Sequence, residues 1–97
     1  WMFGPGIYFA DIPTKSAQYC RAGKAGVPRM LFLTEVAVGN IYVPPSADPS
    51  LRRPPPGFHS VRGTVGQTGG LLHNEHIVYH QAQQTIRYLV TFDQTQR

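Results

Sequence analysis

Short apolar runs alternate with glycine- and proline-rich stretches along this chain, a pattern typical of strands joined by loops. A Gly-Pro-Gly turn at 4–6 leads into the run IYFA at 7–10, which predicts a short buried strand. Asp11 or Thr14 is placed to cap one short helix that continues to about Arg21. The first part of the chain is therefore expected to form a turn, a strand and a helix.

Three further apolar stretches predict strands. The run RMLFLTEVAV at 29–38 predicts a strand buried on both faces or in the interior of a sheet. A turn or bulge at 39–40 and a short extension at 41–43 follow it. A second short buried strand is expected at 75–80, and residues 85–93 alternate with period two, as in a strand with one face more buried. The residues predicted to line that face are Ile86, Tyr88, Val90 and Phe92.

The middle of the chain is predicted to be mostly loop. Six prolines fall within 44–57, which we expect to be a surface loop that connects strands without packing against them. A short strand at 58–62 precedes a Gly-, Thr- and Gln-rich loop at 63–70, whose backbone is free to approach a ligand. Four to six strands and one short helix around a sheet place the chain in the α+β class.

Composition limits the chain to one small domain. Its 97 residues are 41% hydrophobic and 14% charged, which provides a core and excludes a charge-driven disordered segment. The single cysteine, Cys20, excludes an internal disulfide framework, and no apolar run approaches the roughly 18 residues of a membrane span. The net charge of +4 permits anionic partners, but the basic residues are scattered, which favours an ordinary solvated surface over a nucleic-acid-binding stripe.

Two glutamates lie within apolar runs, where a carboxylate needs a partner or a chemical task. Glu75 opens the apolar run at 75–79. It is either an exposed residue at the start of a strand or a buried group with a chemical role, and the sequence leaves both open. Glu35, inside the run at 29–38, is predicted to be structural, either paired to an arginine or pointing to solvent from an edge strand.

Tyr8 and Tyr19 lie on the first strand and at the end of the predicted helix. Because a strand-turn-helix unit folds back on itself, their rings either hold a flat heterocycle between them or belong to the core. Ser16, one helical turn before Tyr19, would offer its hydroxyl to such a ligand or lie on the surface. Four histidines invite a metal hypothesis, but His73 and His76 face opposite sides of a strand, so no metal site is expected.

Three motifs resemble the catalytic domain of the poly(ADP-ribose) polymerase family. The first 20 residues, WMFGPGIYFADIPTKSAQYC, are similar to the family pattern MFGxGIYFADxxxKSxxYC. Residues 57–63, GFHSVRG, resemble its G-x-HSV-[KR]-G loop, and residues 74–89, NEHIVYHQAQQTIRYL, resemble its NEYIVYxxxQxxxxYL ending. The motifs occur in the family's order and cover most of the chain.

The resemblance implies an ADP-ribosyltransferase fold of strand-rich mixed sheets with one short helix, here as a partial domain. Residues 1–97 are expected to form the C-terminal part of a catalytic domain, because the His-Gly pair that precedes the GIYFA motif in the family has no counterpart before Trp1. The isolated chain is accordingly expected to be inactive, with a face exposed that the missing half would cover.

Site residues carry over from the matching motifs one at a time. Glu75 matches the catalytic glutamate, and Tyr8 matches the tyrosine of the family's catalytic triad, which also lines the nicotinamide pocket. Tyr19 matches the tyrosine that stacks on the nicotinamide, and Ser16 the serine that bonds its carboxamide. The other residues implied at the site are Ala10 and Lys15 in NAD⁺ binding, Lys15 near the acceptor side, and Met2 and His73 on the acceptor side.

The implied activity is transfer of ADP-ribose from NAD⁺ to Glu, Asp or Ser side chains of protein acceptors, with release of nicotinamide. Glu75 favours elongation of poly(ADP-ribose), whereas His73 falls where chain-forming members often carry an aromatic residue. A mono-ADP-ribosyltransferase and an inactive binding module with this fold are the alternatives. The resemblance implies no metal, DNA binding only through other domains, no membrane association, and a nuclear or otherwise cytoplasmic location.

Overall fold

The computed structural model describes residues 2–11, 29–65 and 74–92, which form six β-strands and one 3₁₀ turn. The elements are β1 (Ile7–Ala10), β2 (Arg29–Val36), β3 (Ile41–Tyr42), β4 (Ser60–Gly63), β5 (Glu75–Val78), the 3₁₀ turn Gln81–Gln83 and β6 (Gln84–Phe92). The strand-rich character expected from the sequence is confirmed. The predicted helix after Asp11 falls on residues outside the described ranges.

The strands form two sheets, as expected for the fold class. β5 lies between β1 and β4 in a four-stranded sheet of order β1-β5-β4-β3. In this sheet β3 and β4 are parallel and the other pairs are antiparallel. β2 and β6 form a separate antiparallel ribbon of two strands.

The main hydrophobic cluster lies on one face of the four-stranded sheet, whereas Val78, which is also fully buried, lies on the other. Alternate residues of a strand point to opposite faces, so Tyr8, Val61 and Ile77, which are neighbours in the register, share the face of the main cluster. Val61 and Ile77 are fully buried together with Phe3, which comes from the turn before β1. The partly buried residues packed around them are Met2, Tyr8, Tyr42, Leu51 and Tyr79.

The proline-rich loop at 44–57 packs against the core, so the prediction that it only connects strands is wrong. Leu51 contacts the core cluster, and the Asp48 N–H donates to the Met2 carbonyl oxygen at 2.8 Å. Gly4 has a φ of +79°, and a Cβ at this position would clash with the Leu51 carbonyl oxygen. The close approach of the loop to the turn therefore requires glycine at position 4.

The ribbon of β2 and β6 is exposed on both faces. Phe32 pairs with Leu89 on one face and Leu33 with Tyr88 on the other, and all four are exposed. The prediction of a β2 strand buried on both faces or inside a sheet is therefore wrong for the described residues. So is the predicted buried face of β6, because Ile86 is exposed as well as Tyr88 and Val90. An apolar run shows a tendency to be buried, whereas burial also requires a covering layer. Within the described ranges, β6 is the only strand that pairs with β2.

Candidate active site

Glu75 lies at the start of β5, one of two strands of the sheet that have partners on both sides. It pairs with Ala10 of β1 and with Gly63 of β4. Its exposed fraction is 7%, so the interpretation of Glu75 as an exposed residue at the start of a strand is wrong. Both flanking residues are small, since Ala10 has only a methyl group and Gly63 has no side chain.

Tyr8 shares the sheet face of Glu75. It pairs with Ile77, two residues along β5 from Glu75, and alternation places the three side chains on one side. Burial raises the pKa of the Tyr8 hydroxyl, a hydrogen bond from the Phe3 N–H opposes the rise, and the negative charge of Glu75 adds to it. Tyr8 therefore presents a neutral hydroxyl on an aromatic ring close enough to Glu75 to feel its charge.

Two tyrosine hydroxyls hold the turn that precedes β1. The Phe3 N–H donates to the Tyr8 hydroxyl oxygen at 2.9 Å, and the Tyr8 hydroxyl donates to the Gly4 carbonyl oxygen at 2.7 Å. The Tyr79 hydroxyl, just beyond β5, donates to the Phe3 carbonyl oxygen at 2.5 Å. Burial, with smaller contributions from Tyr8 and Asp48, raises the pKa of Tyr79 to about 12.

Tyr79 is a residue that the sequence analysis missed as part of this site. The available signal was a tyrosine at the end of an apolar strand, since a buried hydroxyl requires a hydrogen-bond partner. Tyr79 and Tyr8 together fix the main chain next to Met2, the residue expected on the acceptor side. Met2 itself, like Tyr8, packs against the core cluster of fully buried residues.

The structure brings part of the predicted site together. Tyr8, Ala10 and Glu75 lie on neighbouring positions of β1 and β5, and Met2 contacts the adjoining core. The remaining predicted site residues lie outside the described ranges and stay predictions. They are Lys15, Ser16, Tyr19 and His73.

A second polar group lies on the other face of the same sheet. Arg62 and His76 pair across β4 and β5, on the side opposite Glu75. The His76 Nε2 lies 3.7 Å from a carboxylate oxygen of Asp11. Among the described residues, the buried His76 Nδ1 and Arg62 Nε have no hydrogen-bond partner. Because the sheet separates them from Glu75, these groups form no part of its surroundings.

The chemistry offered by this site is that of a shielded carboxylate beside a tyrosine ring. Within the described ranges, no group of three or more His, Cys, Asp or Glu side chains is arranged to hold a metal ion. Those ranges also contain no helix with the length and hydropathy for crossing a bilayer. A carboxylate in a low-dielectric position suits stabilisation of positive charge on an organic substrate, because electrostatic interactions are stronger there than in water.

Comparison with known proteins shows that the chain is similar to one family. A family model described as the poly(ADP-ribose) polymerase catalytic domain matches residues 1–69. Similar curated proteins include poly [ADP-ribose] polymerase 1 of Oryza sativa subsp. japonica, 34% identical, and of Gallus gallus, 36% identical. Poly [ADP-ribose] polymerase 2 of Zea mays is also 36% identical. Each match covers 93% of this chain but only 12%, 11% and 18% of the respective relative, so the chain spans less than a fifth of their lengths.

Proposed function

We propose that this chain, which belongs to the poly(ADP-ribose) polymerase catalytic-domain family, carries the catalytic carboxylate of an NAD⁺-dependent ADP-ribosyltransferase. The substrates would be NAD⁺ and protein acceptors, modified on Glu, Asp or Ser side chains, and nicotinamide would be released. The observation that carries the proposal is the burial of Glu75 on the sheet face that also holds Tyr8 and Ala10.

The chemistry explains why a carboxylate is required at position 75. Cleavage of the bond between nicotinamide and ribose builds positive charge on the ribose, as in other glycosyl transfers. A carboxylate bonded to a ribose hydroxyl stabilises that charge and polarises the acceptor nucleophile. In the surroundings of Glu75, where water is largely excluded, this stabilisation is stronger than it would be at the surface.

NAD⁺ would bind with its nicotinamide near Tyr8. The small side chain of Ala10, next to Glu75 in the register, leaves space for the ribose. Tyr19, Ser16 and Lys15 are proposed to complete the binding of NAD⁺, by ring stacking, by a hydrogen bond to the carboxamide and by contact near the acceptor side. Met2 and His73 would lie toward the acceptor.

We favour a product that is extended into poly(ADP-ribose), because Glu75 is present where single-unit transferases carry an apolar residue. Transfer of single units is the alternative product. An inactive binding module with this fold is disfavoured, since binding alone gives no reason to bury a carboxylate beside Tyr8. A nuclear location and access to DNA through other domains follow from the family and are proposed on that basis.

We also propose that residues 1–97 form the C-terminal part of a larger catalytic domain. The exposed apolar side chains on both faces of the β2–β6 ribbon support this, because monomeric domains rarely leave contiguous apolar surface of this kind uncovered. A preceding segment with a His-Gly pair would cover the ribbon and supply the rest of the NAD⁺ site. The 97-residue chain alone is then expected to neither hydrolyse NAD⁺ nor modify itself.

The test compares two glutamates in a longer polypeptide that includes the residues preceding this chain in its gene. Glu75→Gln should lower the incorporation of labelled ADP-ribose by about 10²- to 10³-fold, because it removes one charge-stabilising group. Glu35→Gln is the matched control, since Glu35 lies outside the sheet that holds Glu75 and its carboxylate is bonded to Arg87, and it should leave incorporation unchanged. Long polymer made at the normal rate by Glu75→Gln would contradict the proposal.

A further inference from the structure

A cleft of about 650 Å³ lies on the described part of the chain, away from the Glu75 site. We name it the proline cleft. Its walls come from the loop before β4, the connection between β2 and β3, and the 3₁₀ turn after β5. The lining includes Arg53, Pro55, Phe58, His59, His80 and Gln83.

The proline cleft and Glu75 occupy opposite ends of β4 and β5. His59 immediately precedes β4, and Gly63, four residues further along, pairs with Glu75. At about 3.3 Å per residue of strand, these positions are roughly 13 Å apart. A molecule bound in the cleft would therefore lie beside the proposed active site without occupying it.

Hydrogen bonds fix the walls of the proline cleft. The Gln83 Nε2 donates to the carbonyl oxygens of Ala37 at 3.0 Å and of His59 at 2.7 Å, and the Ala37 N–H donates to the Gln83 carbonyl oxygen at 2.7 Å. The Asn40 N–H donates to the Nδ1 of His59 at 2.9 Å. Gly39 has a φ of +54°, and a Cβ there would lie 2.5 Å from that nitrogen. Walls fixed in this way lower the cost of ordering a site when a ligand binds.

The lining combines apolar ring surfaces with groups that favour an anion. Phe58 presents a flat aromatic ring, the prolines at 54–56 present apolar pyrrolidine rings, and Arg53 is the cationic side chain. Since the Nδ1 of neutral His59 accepts a hydrogen bond, its Nε2 carries the hydrogen and is a donor. No carboxylate lines the cleft among the described residues. The volume lies within the range of small-molecule sites.

We propose that the proline cleft binds one ADP-ribose unit of the product. The adenine would lie against the rings of Phe58 and the prolines, and the diphosphate would accept hydrogen bonds from Arg53 and from the imidazoles. The identity of this ligand rests on the proposed transferase function. The cleft would be a second nucleotide site that holds the product chain close to Glu75 between additions.

The test is ligand-observed saturation-transfer NMR with ADP-ribose and the full 97-residue chain at low protein concentration. We expect binding that Arg53→Gln weakens about tenfold or more, because charge-assisted hydrogen bonds to the diphosphate are lost. Arg52→Gln is the matched control and should bind normally. Arg52 is the neighbouring arginine but does not line the cleft, and its guanidinium donates to the carbonyl oxygens of Pro49 and Leu51. Absence of ADP-ribose binding, or equal weakening by both variants, would overturn the proposal.

Further ligands and variants separate the possible sources of binding. Phe58→Leu should weaken ADP-ribose binding while leaving that of inorganic pyrophosphate unchanged, because it removes an aromatic surface and no charge. Equal affinity for pyrophosphate and ADP-ribose would reduce the cleft to an anion site and contradict the proposal. Glu75→Gln should retain binding, whereas loss of binding in that variant would place the ligand at the active site. This experiment measures ADP-ribose binding and not turnover. The binding result is therefore independent of whether the transferase proposal holds.

Discussion

The four-stranded sheet and the β2–β6 ribbon are built from the same types of apolar residue, yet only the sheet buries them. Phe3, Val61 and Ile77 are fully buried on the sheet, whereas Phe32 and Leu89 of the ribbon are 64% and 53% exposed. The sheet has two inner strands, each with two partners, and a layer above it that is formed by the turn before β1 and the proline-rich loop. The difference shows that an apolar strand is buried by its covering layer and not by its composition.

The same difference determines where a buried carboxylate can be placed. Glu75 lies on the covered face of the sheet, where neighbouring groups exclude water. Glu35 lies on the uncovered ribbon and remains exposed beside Arg87. Two glutamates in apolar runs of one chain thus have different environments, and only Glu75 is shielded enough for a large electrostatic effect.

Truncation of one aliphatic residue in each region should produce the largest difference between the regions in the free energy of unfolding. Ile77→Ala is expected to lower the free energy of unfolding by about 2–5 kcal/mol, because it leaves a cavity in the core. Leu33→Ala on the exposed ribbon should change it by about 0.5 kcal/mol or less. Urea denaturation followed by far-UV circular dichroism measures both values. Equal losses would mean that the ribbon is packed as tightly as the sheet.

The sequence predicted the local features of both regions better than their packing. The strand starting at Ile7 and the strand starting at Glu75 were predicted at their observed first residues, because turn residues and apolar runs are local signals. Pairing of Glu35 with an arginine was one of two expected outcomes and is confirmed by Arg87. No local pattern identifies which arginine pairs with Glu35, because Arg87 lies 52 residues away along the chain.

Features that depend on distant partners were the ones that sequence reasoning missed. The packing of the proline-rich loop depends on the turn at 4–6, which lies more than 30 residues earlier in the chain. The hydrogen bond from Tyr79 to Phe3 joins residues 76 positions apart. Exposure of the ribbon depends on what covers it, which the strand's own residues do not encode. The position of Glu75 within an apolar run left open whether its side chain is exposed or buried. Its pairing with Ala10 and Gly63 inside the sheet was needed to decide between the two.

Removal of a tyrosine hydroxyl in each region should give a smaller difference between the regions in the free energy of unfolding, and this difference depends on pH in the alkaline range. Tyr79 has a pKa of about 12 in the folded chain, against about 10 when unfolded, so the unfolded state loses its proton first. The contribution of Tyr79 to stability is therefore complete below pH 10 and is lost as the pH rises toward 12. Tyr79→Phe should lower the free energy of unfolding by about 1 kcal/mol at pH 7 and flatten its decline above pH 10.

The matched control for this titration is Tyr88→Phe on the ribbon. Tyr88 is 66% exposed, so loss of its hydroxyl should leave both the stability at pH 7 and the alkaline decline unchanged. Denaturant titrations at a series of pH values between 7 and 12 measure both variants. Tyr8 also has a raised pKa, so some alkaline decline should remain in Tyr79→Phe. An unchanged decline in that variant would remove the Tyr79 hydroxyl from the set of groups that stabilise the turn.

The smallest effect is expected from the ion pair that joins the two strands of the ribbon. The Arg87 Nε lies 2.7 Å from a carboxylate oxygen of Glu35, and the register skips Arg87 at a bulge, since Leu33 pairs with Tyr88 and Thr34 with Ile86. Both charged side chains are more than half exposed, so solvent screens their attraction. A double-mutant cycle with Arg87→Gln and Glu35→Gln should give a coupling of about 0.2–1 kcal/mol that decreases as salt is added. A coupling well above this range that persists in 1 M salt would show that the ribbon is shielded from water. The ribbon and the four-stranded sheet would then no longer differ in their exposure to solvent.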